Sequence, residues 1–380
     1  MIPAIPDSSG LEQSRAAPAS ALAKQVMPAA AAQRCIALDT LRGFVMLALA
    51  WGLLAREGLL NTPGLHWLGV QLHHVKWEGL AFWDLIQPGF WFAVGASMSF
   101  ALARRRERGF TFGQNLRHAL TRALKLVICG QILIDIQFGR RMFHPRETLT
   151  QIAVCYLICF LILHLKLPWQ VVAAAALMAL NTGLYVAFPG SSGPFAPADN
   201  VGVRIDRVVW SMNPVGMWVS IYCIGSSVSM LFGCWAGGLL LSGKSNPQKL
   251  KRLIPAAAGC LATGLALAPF DPVMQKLWTA SYTFATTGIV LSAVLVLFWL
   301  FDLKGRHKAA FPLVVVGTNG IFFYLLSSAL GEWTRKSVGV FTSGFRLAGP
   351  TATVVQATAA IAVFWYICYW LHQRKIFLKL

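Results

Sequence analysis

Charged side chains are scarce in this chain. Asp, Glu, Lys and Arg make up 12% of its 380 residues, whereas hydrophobic residues make up 56%. A soluble domain carries about 25% charged residues, so this chain cannot cover a water-facing surface of its size. We therefore expect lipid to replace water over much of the surface, and the lipid bilayer to be a partner of the protein.

Acidic residues are fewer than basic residues, 14 against 33, which gives a formal net charge of +19. In a soluble protein such an excess suggests binding to nucleic acid. In a membrane protein, basic loops orient the helices, and this accounts for the excess without a polyanionic partner. We therefore predict no nucleic-acid partner.

Cys-x-x-Cys pairs are absent, although the chain contains eight cysteines. Seven of these lie in apolar stretches, where a free cysteine behaves as a small hydrophobic residue. The sequence predicts neither a disulfide framework nor a metal site. The N-terminus also lacks the long apolar core of a cleavable signal peptide, so we expect residues 1–35 to form a disordered cytoplasmic tail.

Long apolar stretches, in contrast, are frequent. A helix needs about 20 mostly apolar residues to cross the bilayer core, and ten stretches come near this length. The sequence therefore predicts an all-α integral membrane protein, a bundle of about 10 transmembrane helices over residues 36–372, with a polar loop at 189–213 and a basic cytoplasmic tail at 373–380. The predicted spans are 36–60, 80–103, 119–138, 149–165, 169–188, 215–241, 253–268, 281–301, 311–330 and 351–371.

Lysine and arginine in the connecting segments predict the orientation of the bundle. With the N-terminus inside, the inner segments hold 21 Lys plus Arg and the outer loops hold 11. Positively charged loops stay in the cytoplasm, and the run from Arg104 to Arg106 is the strongest such anchor. We therefore expect both termini in the cytoplasm and the segment 73–79 on the far side.

Polar groups inside membrane spans are costly, so each is a candidate for function. Asp39 and Arg42 are three residues apart at the start of the first span, where they share a helix face and can pair. They could form a structural salt bridge, or Arg42 could meet an anionic ligand that enters from inside. Asn319 in the ninth span also needs a partner, and it could serve either helix packing or function.

A second polar cluster precedes and enters the second span. It contains His73, His74, Glu78 and Asp84. A neutral imidazole titrates near pH 6.5, so it can take a proton from a nucleophile at about neutral pH, and Asp84 or Glu78 could fix its tautomer. The alternative is a pair of surface histidines in a loop. Composition and spacing therefore do not separate a transporter from an enzyme.

Seven segments between residues 36 and 330 resemble, in the same order, motifs of the transmembrane acyltransferases related to heparan-α-glucosaminide N-acetyltransferase and their bacterial homologues. The segments are LDTLRG at 38–43, HVKWEG at 74–79, WDLIQPGF at 83–90, LTQIA at 149–153, NPVG at 213–216, LWTASY at 277–282 and GTNG at 317–320.

The resemblance implies that acetyl-CoA binds as co-substrate on the cytoplasmic side and that its acetyl group passes to an amino sugar or other glycan on the far side. The family's catalytic histidine falls on His74, with Asp84 and Glu78 as supporting acids. A short bacterial form in the bacterial inner membrane is implied, and a homodimer is compatible with it. The motifs place contacts to acetyl-CoA on Arg42, Asp39, Gln151, Asn319, Trp278 and Ser281.

Three positions depart from the family pattern. An asparagine near the outer end of the first span is replaced by Leu53, an arginine of the fourth span by Ile152, and an acid before the sixth span by Asn213. These departures leave the acceptor open. The alternative functions are a small-solute transporter or permease, and a family member that lost catalysis and takes part in assembly of a surface polymer.

Overall fold

The computed structural model of the protein describes residues 35–139, 143–342 and 349–378. Within these residues the chain is helical, and its β-structure is a single isolated bridge between Gly190 and Gly193. This confirms the predicted all-α membrane bundle. Nearly all of the predicted N-terminal tail, and the last two residues of the predicted basic tail, lie outside the described residues.

The described chain forms thirteen α-helices, which are numbered here in chain order. The first seven are α1 Ile36–Leu60, α2 His66–Gln71, α3 Ile86–Glu107, α4 Phe112–Phe138, α5 Thr148–Ile162, α6 Leu167–Ala187 and α7 Val201–Trp210. The remaining six are α8 Cys223–Leu241, α9 Asn246–Leu267, α10 Ala280–Leu297, α11 His307–Thr318, α12 Gly320–Thr342 and α13 Gly349–Gln373. Short 3₁₀ turns at Phe82–Leu85 and Ser220–Tyr222 lead into α3 and α8, and a π-helical turn at Phe298–Leu303 extends α10.

Each of the ten predicted spans falls on helical structure, and the first has the predicted bounds. The predicted count of about ten is not confirmed, because seven helices of the described chain are long and apolar enough to cross a membrane, or eight with one bent pair. Among the others, α5 has 15 residues, about 22 Å, which is shorter than the bilayer core. Helix α4 carries Arg117, Arg122 and Lys125.

Two predicted segments differ from the structure. The ninth span is a bent pair, in which α11 and α12 meet at 69° because Asn319 leaves the helical conformation, with φ −120° and ψ 32°. The predicted polar loop at 189–213 contains α7, whose first turn is capped by Asn200 accepting a hydrogen bond from the Val203 N–H at 3.2 Å. Asparagine is a favoured residue at that cap position, so the sequence did carry a signal for this helix.

Helices α1, α3, α8 and α10 form the centre of the bundle, and α3 and α8 pack most closely. A Cβ atom at Gly233 of α8 would lie 2.1 Å from the Phe92 carbonyl oxygen, and one at Gly95 of α3 would lie 2.0 Å from that of Met230. Small residues allow such backbone approach in lipid. Gly225 and Gly237 of α8 are in similarly close contact with the backbone of Trp278 and Ala96, whereas the Cβ position of Gly238 has no other described segment within 4 Å.

Contacts sort the connecting segments into two sets at opposite ends of the bundle. At one end, termed the His74 end, the Gly79 N–H donates to the Val273 carbonyl at 2.9 Å, and the Arg146 guanidinium donates to the Trp218 carbonyl at 2.9 Å. At the other, termed the Arg42 end, Asp302 accepts from the backbone of Ile36 and Asn319 donates to the carbonyl of Ile376. Both ends of the described chain thus lie at the Arg42 end.

We predict that Gly233→Ala destabilises the protein and that Gly238→Ala does not. The methyl group at position 233 meets backbone rather than a flexible side chain, and overpacking costs about 1–3 kcal/mol. At position 238 the methyl group meets open space, and alanine has the higher helix propensity. Thermal unfolding in detergent should show a lower midpoint for Gly233→Ala alone. Equal midpoints for the two variants would contradict the close approach of α3 and α8.

Candidate functional site

The irregular segment between α2 and the 3₁₀ turn carries His74 to the bundle surface. This segment, 72–81, contains Gly79 with φ +117°, a conformation that favours glycine. Its neighbours fix its path, because the Gly79 N–H is bonded to Val273 and the Trp77 indole N–H donates to the Phe195 carbonyl at 2.9 Å. The His74 side chain is 29% exposed, so a reactant can reach it.

Asp84 lies directly behind His74 and is fully buried. The imidazole Nδ1 and the carboxylate Oδ1 are 2.7 Å apart. The other carboxylate oxygen accepts the Ala81 N–H at 2.9 Å, and the Asp84 carbonyl accepts the Tyr282 hydroxyl at 2.6 Å. Ala81, just before the 3₁₀ turn, therefore holds one carboxylate oxygen and Tyr282 of α10 holds the backbone of Asp84, while the other carboxylate oxygen faces His74.

This arrangement fixes the role of each imidazole nitrogen. An ionised carboxylate accepts only, so Nδ1 of His74 carries the hydrogen and the neutral ring presents Nε2 as an acceptor. A histidine oriented in this way by a buried carboxylate can remove a proton from a hydroxyl or an amine, or can attack a carbonyl carbon itself. The pair predicted between His74 and Asp84 is present.

Aromatic rings surround the imidazole. The Trp218 ring lies edge-on at 4.8 Å from that of His74, and the Trp83 ring lies at 6.1 Å. Trp83 in turn packs against Gly52 of α1, where an added Cβ would be 2.1 Å from its ring. The walls of the site are thus rigid and apolar, and they limit the access of water to the Asp84 side of the ring.

Glu78 and His73 lie apart from this pair. Glu78 was a candidate to fix the His74 tautomer, but it is exposed and has no hydrogen bond to His74, because helical structure begins only at Phe82. The His73 ring points away from this pair and bonds the Gly69 carbonyl at 2.8 Å and Glu57 at 3.3 Å.

At the Arg42 end, the predicted pairing of Asp39 with Arg42 is confirmed at 3.2 Å. The same guanidinium donates to the Gly317 carbonyl at 2.9 Å and to the Ser97 hydroxyl at 2.7 Å. Arg42 therefore joins α1, α3 and α11 through one planar group, which is a structural role. The predicted contact of Asp39 and Arg42 with acetyl-CoA stays a prediction.

The Asn319 amide supports the packing alternative. It is fully buried, donates to the Ile376 carbonyl at 3.2 Å and accepts the Leu378 N–H at 2.9 Å, so it ties the bend between α11 and α12 to the C-terminal segment. Gln151 lies at the other end of the bundle, where its amide donates to the carbonyls of Pro145 and Ser220. A role for either amide in binding acetyl-CoA remains a prediction.

Trp278 and Ser281 lie beneath the His74 site. The Trp278 indole donates to the Ser229 hydroxyl at 3.0 Å and stacks on Tyr222 with 5.5 Å between ring centroids. The Ser281 N–H donates to the Asp271 carboxylate at 3.1 Å. Both residues are fully buried, and Trp278 packs edge-on against Tyr282, whose hydroxyl bonds the Asp84 carbonyl. The prediction that Trp278 and Ser281 contact acetyl-CoA is untested.

The departures from the family pattern have separate locations. Leu53 is 42% exposed on the outer face of α1, and its neighbour Gly52 is the residue that faces the site through Trp83. Ile152 is buried in α5. Asn213 accepts a hydrogen bond from Arg207 at 2.8 Å. A polar group at position 53 would therefore point away from His74.

A cavity of about 260 Å³ opens at the Arg42 end between the ends of the four central helices. Its lining includes Lys249, His307 and Asp302. Lys249 is 9% exposed, and within the described residues its ammonium has no hydrogen-bond or ion-pair partner. Asp302 is occupied by the backbone N–H groups of Ile36 and Ala37, at 3.0 and 2.9 Å. The cavity is thus lined by a mostly buried lysine whose ammonium makes no hydrogen bond or ion pair within the described residues.

Sequence reasoning missed several of these groups. Asp302 lies at the end of a predicted span, so the rule that flags acids in membrane spans would have found it. Lys249 was hidden because the seventh span was predicted to begin at 253, whereas a capping box at Ser245 and Gln248 starts the helix earlier. Tyr282 and Trp218 reach the site by long-range packing, for which no local pattern exists.

No protein-family model matches the sequence. Two curated relatives do, both heparan-alpha-glucosaminide N-acetyltransferases. The protein of Mus musculus is 23% identical in an alignment of 437 positions that covers 97% of this chain and 64% of the relative. The protein of Homo sapiens is 22% identical, with coverage of 91% and 60%. The chain thus spans less than two thirds of each relative, and these matches support the family resemblance indicated by its motifs.

We predict that Arg42→Lys lowers the unfolding midpoint of the unliganded protein, while Arg104→Lys does not. Lysine keeps the charge but cannot reach three acceptors with one planar group, and lost hydrogen bonds to a charged group cost about 1.5–3 kcal/mol. Arg104 is exposed on α3 and serves as the matched control. An unchanged midpoint for Arg42→Lys would remove the structural role of this arginine.

Proposed function

We propose that the protein is a membrane-bound acetyltransferase that moves an acetyl group from acetyl-CoA to an acceptor at the His74 end. The observation that carries this proposal is the hydrogen bond of His74 to the fully buried Asp84. A structural surface histidine does not need a buried carboxylate, whereas a catalytic base gains its tautomer and its orientation from one. The relatedness to two acetyltransferases over nearly the whole chain supports the same reaction class.

In the proposed reaction, Nε2 of His74 takes the proton of the acceptor as its nitrogen or oxygen attacks the thioester carbonyl. The bond from the acceptor to the acetyl carbon forms, the carbon–sulfur bond breaks, and the proton on His74 passes to the departing thiolate. In the alternative sequence, Nε2 attacks the thioester carbon first, and the carbon–sulfur bond breaks to release the coenzyme A thiolate. The acceptor then attacks the acetyl carbon, the bond from that carbon to Nε2 breaks, and the proton of the acceptor passes to the thiolate. Asp84 stabilises the positive imidazole in both sequences.

The proposal places the Arg42 end in the cytoplasm of a bacterial cell, at the inner membrane. The loops predicted to lie on that side carry 21 of the lysines and arginines, against 11 on the other side. The phosphates of acetyl-CoA require cations, and Lys249 in the cavity at this end supplies an unpaired one. From Phe100 at the cavity to Asp84 is about 24 Å along α3, so the donor has to extend along the central helices.

The acceptor is proposed to be an amino sugar or another glycan on the far side of the membrane. Both relatives are named for heparan α-glucosaminide as their acceptor. In this chain the imidazole lies between Trp83 and Trp218, and flat aromatic walls of this kind are common in ligand sites that place a few polar groups against a hydrophobic surface. A general base at Nε2 can take a proton from either a hydroxyl or an amine of the acceptor.

We predict that His74→Ala lowers acetyl transfer by roughly 10²–10⁴-fold, the usual contribution of a general base. His73→Ala should remain active, because its ring contacts Gly69 and Glu57 instead of Asp84. Asp84→Asn should lose about 10²-fold or more, since an amide can donate to Nδ1 and select the wrong tautomer. The measurement is acetyl-CoA hydrolysis and transfer to glucosamine by purified protein in detergent.

The His73→Ala protein is the control for loss of any histidine from this segment, and all variants are compared at equal amounts of a single folded species. An inactive His73→Ala variant beside an active His74→Ala variant would overturn the assignment. Full activity in both would favour a transporter or a non-catalytic protein.

A second prediction concerns the donor. Lys249→Met should weaken coenzyme A binding by roughly tenfold or more, because a charge-assisted hydrogen bond to phosphate contributes about 1.5–3 kcal/mol. Lys251→Met is the matched control, since Lys251 is exposed two residues further along α9. Isothermal titration of coenzyme A into each protein in detergent gives the comparison. Unchanged binding by Lys249→Met would exclude the cavity as the phosphate site.

A further inference from the structure

Lys276 is a buried lysine at the His74 end that the proposed reaction does not use. It lies in the segment 268–279 between α9 and α10 and is 9% exposed. Its ammonium donates to the Lys76 carbonyl and lies 5.5 Å from the ring centroid of Trp77 and 5.8 Å from that of Trp218. Burying an ammonium is costly unless it is bonded, so these contacts indicate a specific position for this side chain.

The ammonium joins three segments that surround the imidazole. The Lys76 carbonyl is two residues from His74, and the nearby Gly79 N–H is bonded to Val273, three residues before Lys276. The second ring beneath the ammonium, Trp218, is the one whose edge meets the imidazole at 4.8 Å. Cation–π contacts of this kind gain strength where water is excluded. The position of the His74 ring therefore depends on Lys276 through two independent contacts.

Lys276 also interacts electrostatically with the pair formed by His74 and Asp84. Burial lowers the pKa of Lys276 from its ordinary value, and the negative charge of Asp84 partly opposes this shift. The Asp84 carboxylate is in turn hydrogen-bonded to the His74 ring at 2.7 Å. The Lys276 ammonium therefore lies close enough to this pair to repel positive charge that develops on the imidazole.

We propose that Lys276 is a positioning residue for acetyl transfer, which holds the His74 segment against the segment 268–279 and places a fixed positive charge beside the pair of His74 and Asp84. This inference rests on the proposed function. It assigns to Lys276 both a tether, through the Lys76 carbonyl, and an electrostatic role, through Asp84.

The other charged groups near His74 do not replace this cation. The Arg146 guanidinium donates a hydrogen bond to the backbone carbonyl of Trp218 and interacts with Asp206. The remaining groups are on the outer surface: Lys76 and Glu78, which are exposed on the His74 segment, and Glu57, which bonds His73. Water screens exposed charges strongly, so removal of Lys276 is not compensated by them.

Three variants separate the tether from the charge. Lys276→Gln keeps a hydrogen-bond donor and removes the charge, Lys276→Arg keeps the charge, and Lys276→Met removes both. Lys76→Met is the charge-matched control, because its exposed ammonium is lost while its carbonyl remains. If Lys276→Met does not fold, the comparison of Gln with Arg still tests the electrostatic role.

The first measurement is independent of catalysis. Diethyl pyrocarbonate acylates imidazole in its neutral form and not in its protonated form. The rate of modification of His74 is read by peptide mass spectrometry across the titration range of histidine. This rate reports the protonation of His74. The midpoint should move to higher pH by about half to one unit in Lys276→Gln and Lys276→Met. It should not move in Lys276→Arg or in Lys76→Met. An unmoved midpoint in Lys276→Gln overturns the inference.

The second measurement is the dependence of kcat on pH for acetyl transfer. The acidic limb should move in the same direction and by the same amount as the midpoint of modification, with the largest loss of kcat in Lys276→Met. A fall in kcat without a moved limb would mean that Lys276 is only a structural residue, which also overturns the inference. If the unaltered protein transfers no acetyl group, the proposed function is refuted instead. This outcome can be told apart from failure of the inference, because the midpoint of His74 modification would still move in Lys276→Gln.

Discussion

The hydrogen bond from His74 to Asp84 is the interaction on which the His74 end depends. A fully buried carboxylate has to be satisfied by donors and charges, or it protonates. The structure supplies these from three elements: the backbone of Ala81 in the 3₁₀ turn, the imidazole itself, and the ammonium of Lys276 on the segment before α10. The path of the irregular segment 72–81, including the positive φ of Gly79 and its bond to Val273, follows from the need to bring the imidazole onto this carboxylate.

Close packing of the central helices constrains what lies between the two ends. Helices α3 and α8 touch through Gly95 and Gly233, with carbonyl oxygens where a Cβ would otherwise be, and α1 and α11 meet in the same way at Gly43 and Gly317. Such interfaces have little tolerance for sliding, because any side chain there would collide with backbone. A donor that enters at the Arg42 end therefore has to lie beside these contacts rather than between them, and the rigid interfaces keep the distance from the cavity to His74 constant.

Several features of this architecture could be predicted from the sequence. The other features could not be predicted, for physical reasons. The bounds of α1 and the ten apolar segments follow from hydropathy, which is a local property. The pair of His74 with Asp84 was found because both residues belong to one motif. The bend at Asn319 was not found, because it depends on an amide that bonds residues 376–378, 57 to 59 positions away. Lys276 is 200 positions from Lys76, so no local pattern connects them.

The contacts that a cationic side chain makes indicate whether its role is structural or functional. They do so more clearly than its position in the sequence does. Arg42 belongs to a family motif, yet its guanidinium bonds acceptors on three helices, and a ligand would have to displace them. Lys249 belongs to no motif, yet it is buried beside a cavity, and within the described chain no acceptor bonds its ammonium. An ammonium that lines a cavity and has no acceptor in the protein is available to an anionic ligand, which is the role that the proposed function gives to Lys249. Lys276 is intermediate: its contacts are complete, but one of them is the Lys76 carbonyl, two residues from His74. Under the proposed function its charge therefore acts on the site without touching a reactant.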